Sequence, residues 1–334
     1  IAYEFLNFDS EIHINHFLNS YENTDHKGEK AKSGYWAGRA YEKINNIELS
    51  NLWYENSAKY VTEFYGQLSH EKINTNKSLI PNEELYGKNL FIKDDLDFVN
   101  SDIYKASELM LANGTRKNAK LFISNLIYNS KSPGQLQIIA KLSKDFDRPD
   151  LAIKASKYAE KKNIYLYHYA YPSLKNYKIY KDVEKELVYA VIKQESAFDS
   201  KAISRVGARG MMQIMPATAN IVSKKLKLNY SKKRLTSDVQ YNVSLGSYYL
   251  YSLIEDYDSY LLALIGYNAG PRRVKRWIKK FGDPRKENVD YDSWIEKIPI
   301  KETRLYVKIV LSNLQVYRQK NQTSKKISIF SRKN

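Results

Sequence analysis

The sequence predicts an all-α protein, and three observations carry that expectation. Window after window places apolar residues at the i, i+3, i+4 spacing of an amphipathic helix, the alternation of a half-buried strand is scarce, and short polar or Pro/Gly punctuation separates the windows. In the first half these windows are Lys32–Ile44, Glu48–Ala58, Val61–Glu71, Lys117–Tyr128, Pro133–Phe146 and Arg148–Lys161. Helix pairs stacked into a curved solenoid account for them best. A tetratricopeptide-like spacing that pairs Trp36 and Ala40 with Ala58, Phe64 and Tyr65 fades along the chain. The aromatic stripe of Tyr35, Trp36, Trp53, Tyr54, Phe64 and Tyr65 is expected to pack as core rather than to serve as a ligand platform.

A boundary is expected at Tyr171 to Tyr177, where Pro172, polar residues and the onset of positive charge coincide. Beyond it the windows Asp182–Ser196, Pro216–Leu226, Asp238–Tyr257, Tyr260–Tyr267, Pro271–Phe281, Asp290–Lys297 and Glu302–Lys320 describe a compact helical globule. Pro271 and Gly282 bracket one of these helices in the expected order, proline at the start and glycine past the end. The predicted organisation is an α-superhelical region over 1–171, a helical domain over 172–322, and a weakly ordered basic tail over 323–334.

Composition bounds the function. A chain of 334 residues with 43% apolar content has room for two domains and a sizeable core. With no cysteine, disulfides and thiolate metal sites are excluded. No apolar run is long enough to span a bilayer, so no transmembrane segment is expected. The chain opens on Ile1 with no basic or apolar signal core ahead of it, and is expected to begin partway through a longer helical region. Its charge is lopsided. Residues 1–171 hold 22 Lys/Arg against 22 Asp/Glu, while residues 172–334 hold 32 against 15, so the whole net charge of +17 lies in the second half. Such a half attracts polyanions. Zinc-finger spacing, an RNP-type motif and a basic region joined to heptads are all missing, so nucleic acid is not the expected partner. The five histidines all lie in the first half, with His13 and His16 the one close pair, and no metal or other cofactor is expected.

The most informative text is Gln194-Glu195-Ser196-Ala197-Phe198, followed by the run from Ser204 to Ala219. Val188, Val191 and Ile192 form an apolar helical stripe, and Glu195 occupies its next position. Desolvation disfavours an ionised acid there, so this Glu can stay protonated near neutral pH and give its proton to a leaving oxygen. A helix-end glutamate paired with a nearby lysine is the plainer reading. Gly207 and Gly210 favour the first, because they allow the tight backbone that a cleft needs, and Pro216 suits the first turn of the helix that would close the cleft wall.

These residues resemble the soluble lytic transglycosylases of bacterial cell-wall turnover, whose catalytic domain is similar to goose-type lysozyme. Four blocks match in order: ESAFD with Glu195, SRVGARGMMQIMPATA from Ser204, IGYNAGPRRV from Ile265, and WIEKIPIKETRLYVKIVL from Trp294. The upstream stretches YWAGRAYEKI from Tyr35, WYENSAKYVTEFYGQL from Trp53 and RPDLAIKASKYAEKK from Arg148 are similar to the family's helical superhelix. The resemblance implies a solenoid followed by a lysozyme-like domain, peptidoglycan as the substrate and a periplasmic location. It leaves room for proteins of cell-wall synthesis or division as partners of the superhelix. It implies Glu195 as the sole catalytic acid and base, with Ser204, Gln213, Met215, Tyr267, Asn268, Glu302 and Tyr306 lining the cleft. Met211 and Met212 are read as packing residues.

On the residues alone, Asn268 and Gly270 also suit a helix end, and Glu302 suits a first turn, either favoured there by the helix dipole or paired with Arg304 or Lys308. Glu302 and Tyr306, four apart, are expected to share a face. Asp199 reads as a turn residue, so no second carboxylate partners Glu195. A single-acid mechanism therefore fits better, and the resemblance implies that it cleaves between N-acetylmuramic acid and N-acetylglucosamine with closure of a 1,6-anhydro ring. A hydrolytic muramidase and a non-catalytic peptidoglycan-binding scaffold remain as alternatives.

Overall fold

The structure, a computed structural model, describes residues 10–73, 78–81, 89–90, 95–174 and 176–322. In chain order the helices are α1 (Ser10–Glu22), α2 (Lys27–Lys43), α3 (Ile47–Ala58), α4 (Phe64–Lys72), α5 (Asp95–Asn100), α6 (Asp102–Asn113), α7 (Arg116–Tyr128), α8 (Pro133–Asp145) and α9 (Pro149–Lys161). They continue as α10 (Tyr167–Ala170), α11 (Lys185–Ser196), α12 (Pro216–Lys225), α13 (Arg234–Ser237), α14 (Val239–Tyr257), α15 (Tyr260–Ala269), α16 (Pro271–Phe281), α17 (Tyr291–Glu296) and α18 (Lys301–Lys320). Among the described residues there is no strand, and the two isolated bridges pair Arg209 with Ile203 and Ile214. The fold is all-α, as the helical spacing predicts. The tail expected over 323–334 lies outside the described residues.

The punctuation works by capping. Ser101, Thr115 and Ser132 accept hydrogen bonds from the backbone of Tyr104, Asn118 and Gln135, satisfying donors that a helix start leaves orphaned. Pro133, Pro149, Pro216 and Pro271 occupy first turns, where a missing N–H costs nothing. Helices α1, α5, α6, α10 and α13 were not expected. Helix α6 carries Ile103, Tyr104, Leu109, Met110 and Leu111, yet only Ser107 of its twelve residues is buried, and Ile103 and Leu109 are exposed.

The chain divides into two compact units that interleave along the sequence. One gathers Ile1–Leu79, Tyr180–Ala190 and Ser247–Asn334, and the other gathers Ile80–Ile179 and Val191–Gly246. In the first, Tyr35, Trp36, Tyr54, Phe64 and Tyr65 are buried, the core role expected of that stripe. The half-buried Trp53 packs edge-on against Tyr21. Buried charge joins this aromatic core to the C-terminal helices. Glu296 receives Lys308 at 2.7 Å, Lys32 at 3.2 Å and the Tyr65 hydroxyl, while Asp292 takes the Tyr35 hydroxyl and Arg39 at 3.1 Å. Burial raises the Asp292 carboxyl to about 6 against the pull of Tyr35 and Arg39. Glu184 binds Arg318 through both carboxylate oxygens, at 2.6 and 2.7 Å, and accepts from the Tyr260 hydroxyl at 3.1 Å.

In the second unit α7, α8 and α9 enclose an aliphatic core of Ile123, Leu126, Ile127, Leu136, Ile139, Leu151 and Ala155. Arg148 is buried there and clasps Asp150 with two bonds of 2.8 Å. The polypeptide that follows Glu195, as far as Gly246, belongs to this same unit.

Candidate active site

In the second unit, Glu195 sits in the last turn of α11, half-buried beyond the fully buried Val191 and Ile192. Two residues earlier, the Lys193 ammonium lies 3.7 Å from the centroid of the Tyr171 ring. The helix stops abruptly. Ala197 and Phe198 both take left-handed backbone, with φ of 50° and 65°, a conformation that non-glycine residues hold only when their surroundings enforce it. The ring of Phe198 is buried, and the Ser196 hydroxyl donates to the Met211 carbonyl at 2.7 Å.

The loop after α11 is built from its own hydrogen bonds. Ser204 Oγ accepts from the Ala208 N–H at 3.0 Å and closes a turn with Gly207 at φ +89°. Arg209 and Ile214 exchange backbone bonds of 3.1 and 3.2 Å around a second turn, which places Gly210 at φ +75° and Gln213 at φ 45°. Gln213 Nε2 donates to the carbonyls of Gly210 at 2.8 Å and Ala202 at 3.1 Å. Ser204 and Gln213 therefore hold the loop's shape. Met215, 41% exposed at the start of α12, presents its side chain outward, with Ile203, Val206 and Ile221 also exposed. Met211 and Met212 are buried, and Met212 packs so closely on Gly246 that a Cβ there would lie 2.5 Å from its sulfur.

Asn242 escaped the sequence reading. Only 1% exposed on α14, it accepts from Met212 N–H at 2.9 Å and donates to the carbonyls of Arg209 at 2.9 Å and Leu235 at 3.0 Å. An amide in a helix face that also carries Val243 and Leu245 next to it was the available signal, because buried polar groups are retained when they satisfy backbone. Asp199 is a turn residue as expected, accepting from the Lys201 N–H at 2.9 Å.

In the first unit, Tyr267 and Asn268 end α15. Gly270, at φ +89°, both terminates that helix and precedes Pro271 at the start of α16. The Tyr267 ring packs on Tyr249 with centroids 5.4 Å apart. Asn268 Oδ1 accepts from the hydroxyl of the buried Thr303 at 2.7 Å, which ties the end of α15 to the first turn of α18. Thr303 was also missed, lying between the two residues that the sequence singled out. Glu302 and Tyr306 lie four apart on α18, the spacing of same-face neighbours, with Tyr306 buried and Glu302 exposed in the first turn. Neither cation proposed for Glu302 is turned to it. Arg304 donates to the Ile298 carbonyl at 2.6 Å, and Lys308 is held by Glu296.

Each unit thus assembles its own set: Glu195, Ser204, Gln213 and Met215 in one, and Tyr267, Asn268, Glu302 and Tyr306 in the other. Among the described residues no group of three or more His, Cys, Asp or Glu is placed to hold a metal ion, and no helix is long and apolar enough to cross a membrane.

Comparison with known proteins adds to this geometry. Residues 174–289 match the family model of the transglycosylase SLT domain. Over 146 residues the chain is 35% identical to the soluble lytic murein transglycosylase of Escherichia coli K12, a match covering 43% of this chain and 22% of that protein. A putative soluble lytic murein transglycosylase of Haemophilus influenzae is 31% identical over 151 residues, 45% of this chain and 25% of the relative. Among solved structures, an inactive mutant of the lytic transglycosylase Slt of Pseudomonas aeruginosa superposes with a TM-score of 0.72 and 26% identity, covering 89% of this chain and 47% of the other. The 70 kDa soluble lytic transglycosylase of Escherichia coli gives 0.73 at 24% identity over 91% and 48%, and shares the fold of a superhelix followed by a lysozyme-like domain. The chain spans about half the length of these solved chains, and its match covers about a quarter of the curated relatives' length.

Proposed function

We propose that this chain, which carries a transglycosylase SLT domain over residues 174–289, is a lytic transglycosylase of peptidoglycan. It cleaves the β-1,4 bond between N-acetylmuramic acid and N-acetylglucosamine and leaves a 1,6-anhydromuramic end. Glu195 protonates the glycosidic oxygen, and the 2-acetamido group of the muramic residue stabilises the electron-poor anomeric carbon. The resulting carboxylate takes the proton of the sugar's own 6-hydroxyl as that oxygen bonds to the anomeric carbon. No water is consumed, and the intramolecular nucleophile has a high effective concentration.

The observation that carries this reading is the setting of Glu195: a half-buried acid in the last turn of α11, ended by two left-handed residues and fastened through Ser196 to a glycine loop. Met215 and the loop held by Ser204 and Gln213 are its sugar-facing elements. Tyr267, Asn268, Glu302 and Tyr306 contact substrate in the same reading. We take 172–322 as the catalytic domain and 1–171 as the superhelical region, which engages long glycan strands or proteins of cell-wall synthesis in the periplasm.

The test is Glu195→Gln on purified murein, with products read by mass spectrometry. An anhydro end is one water lighter than a reducing end, so the wild type should release anhydromuropeptides and the folded Gln variant none. Reducing ends from the wild type would make it a muramidase, and turnover by the Gln variant would remove Glu195 from the mechanism.

A further inference from the structure

Within the second unit, charged side chains from distant stretches meet beside the turn after Glu195. Arg116, the first residue of α7, places Nη2 2.6 Å from Asp199 Oδ1 and 3.9 Å from Asp150 Oδ1. Asp150 is already held by both prongs of Arg148. The short contact of Arg116 is therefore with Asp199, and it spans 83 residues of sequence. The base of the contact is firm, because the Thr115 hydroxyl caps α7 by accepting from the Asn118 N–H at 3.2 Å.

The place of Asp199 gives the pair its consequence. Only Ser196, Ala197 and Phe198 separate it from Glu195, and Ala197 and Phe198 are the two left-handed residues. Such a conformation is strained for a residue with a Cβ and persists where its surroundings over-determine it. Three fastenings do so here: the Ser196 bond to Met211, the buried Phe198 ring, and the ion pair from Asp199 to Arg116. The first two belong to α11 and its loop. The third comes from the helical region upstream.

We propose that Arg116 is a positioning residue for Glu195: by anchoring Asp199 it holds the left-handed turn that ends α11, and so fixes the orientation from which the Glu195 carboxyl transfers its proton. The proposal rests on the reading of Glu195 as acid and base. These side chains are 38% and 26% exposed, and an ion pair so open to solvent contributes little to stability. A displacement of about 1 Å at a reacting group costs up to about a hundredfold in rate. Loss of Arg116 should therefore reach turnover far more than it reaches folding.

The experiment compares Arg116→Ala, Arg116→Lys, Asp199→Ala and the double Ala variant with wild type and Glu195→Gln on a soluble muropeptide oligosaccharide, well below each melting midpoint. We expect kcat to fall about tenfold in Arg116→Ala with KM within about twofold, and Arg116→Lys, which restores one donor, to recover most of it. The double variant should be no slower than the slower single one, because the two residues act as one unit. Amide exchange of the segment around Ala197 to Asp199 should accelerate in Arg116→Ala and return with Lys, a readout that needs no turnover. Wild-type kcat together with unchanged exchange in Arg116→Ala overturns the proposal, as does a loss explained entirely by the unfolded fraction or losses that multiply in the double variant. Turnover surviving in Glu195→Gln would instead strike the functional reading, with the exchange result still judging the clamp.

Discussion

Ser196 Oγ donates a 2.7 Å hydrogen bond to the carbonyl of Met211, fifteen residues later, and so stitches the end of the Glu195 helix to the glycine loop. The bond leaves from the residue next to the proposed acid, at the point where the chain turns left-handed. It is short enough for a well-formed O–H···O bond.

Ser196→Ala should accordingly cost about 1 kcal/mol of stability, the usual net worth of such a bond. Activity should fall further than that, since the loop loses its tie to α11. Urea denaturation and kcat on soluble muropeptides are the paired measurements, and an Ala variant with unchanged kcat would mean that the stitch serves folding alone.

Two glycines of the loop should answer alanine very differently. A Cβ on Gly210 would lie 2.1 Å from the Leu235 carbonyl oxygen and 2.3 Å from Asn242 Nδ2, and Asn242 is the residue that holds the loop from α14. Gly210→Ala is expected to prevent stable folding of the loop, at about 3 kcal/mol or more. A Cβ on Gly207 meets nothing within 4 Å. Gly207→Ala should cost only its left-handed strain, about 1 kcal/mol. Melting midpoints give the order, and the reverse order would refute this account of the loop.

Glu296 makes acid stability predictable. Burial opposes its ionisation, but Lys308, Lys32 and the Tyr65 hydroxyl more than offset this and lower its carboxyl to about 2. A depressed folded-state value means that its contribution is fully present above the unfolded value near 4.5, and is lost as pH falls through about 2. The amount is on the order of 3 kcal/mol. Urea midpoints measured from pH 6 to pH 2 should fall steeply for the wild type and more gently for Glu296→Gln, which starts lower at neutral pH because Lys308 is left buried without its anion. Equal slopes would take Glu296 out of the acid response.

Helix α16 localises the basic half's charge. Arg272, Arg273, Lys275, Arg276, Lys279 and Lys280 are exposed, while Val274 and Trp277 are buried on the opposite side. If this face attracts anionic murein, sacculus binding should weaken with rising salt, because exposed charges are screened over about 8 Å at physiological ionic strength. Arg272→Gln with Arg276→Gln and Lys279→Gln should flatten that salt dependence in a sedimentation assay. An unchanged dependence would leave these side chains as solvated surface.

Much of this protein is written locally. Apolar residues at helical spacing, Ser and Thr caps and first-turn prolines are short-range signals, and they determined the all-α class and most helices without tertiary information. The same holds for Glu195, whose place at the end of an apolar stripe, ahead of Gly207 and Gly210, marked it as a candidate acid, and for the burial of Met211 and Met212. The long-range pairings were decided only by the tertiary structure. Nothing near Asn242 says that its amide will satisfy Arg209, Leu235 and Met212, nothing near Glu296 names Lys32 and Tyr65, and Asp199 gives no sign of Arg116, 83 residues upstream. A side chain's hydrogen-bonding capacity is fixed by its chemistry, but its partner is fixed by which distant backbone and charge the packed chain brings within 3 Å, and no periodicity in the sequence encodes that distance.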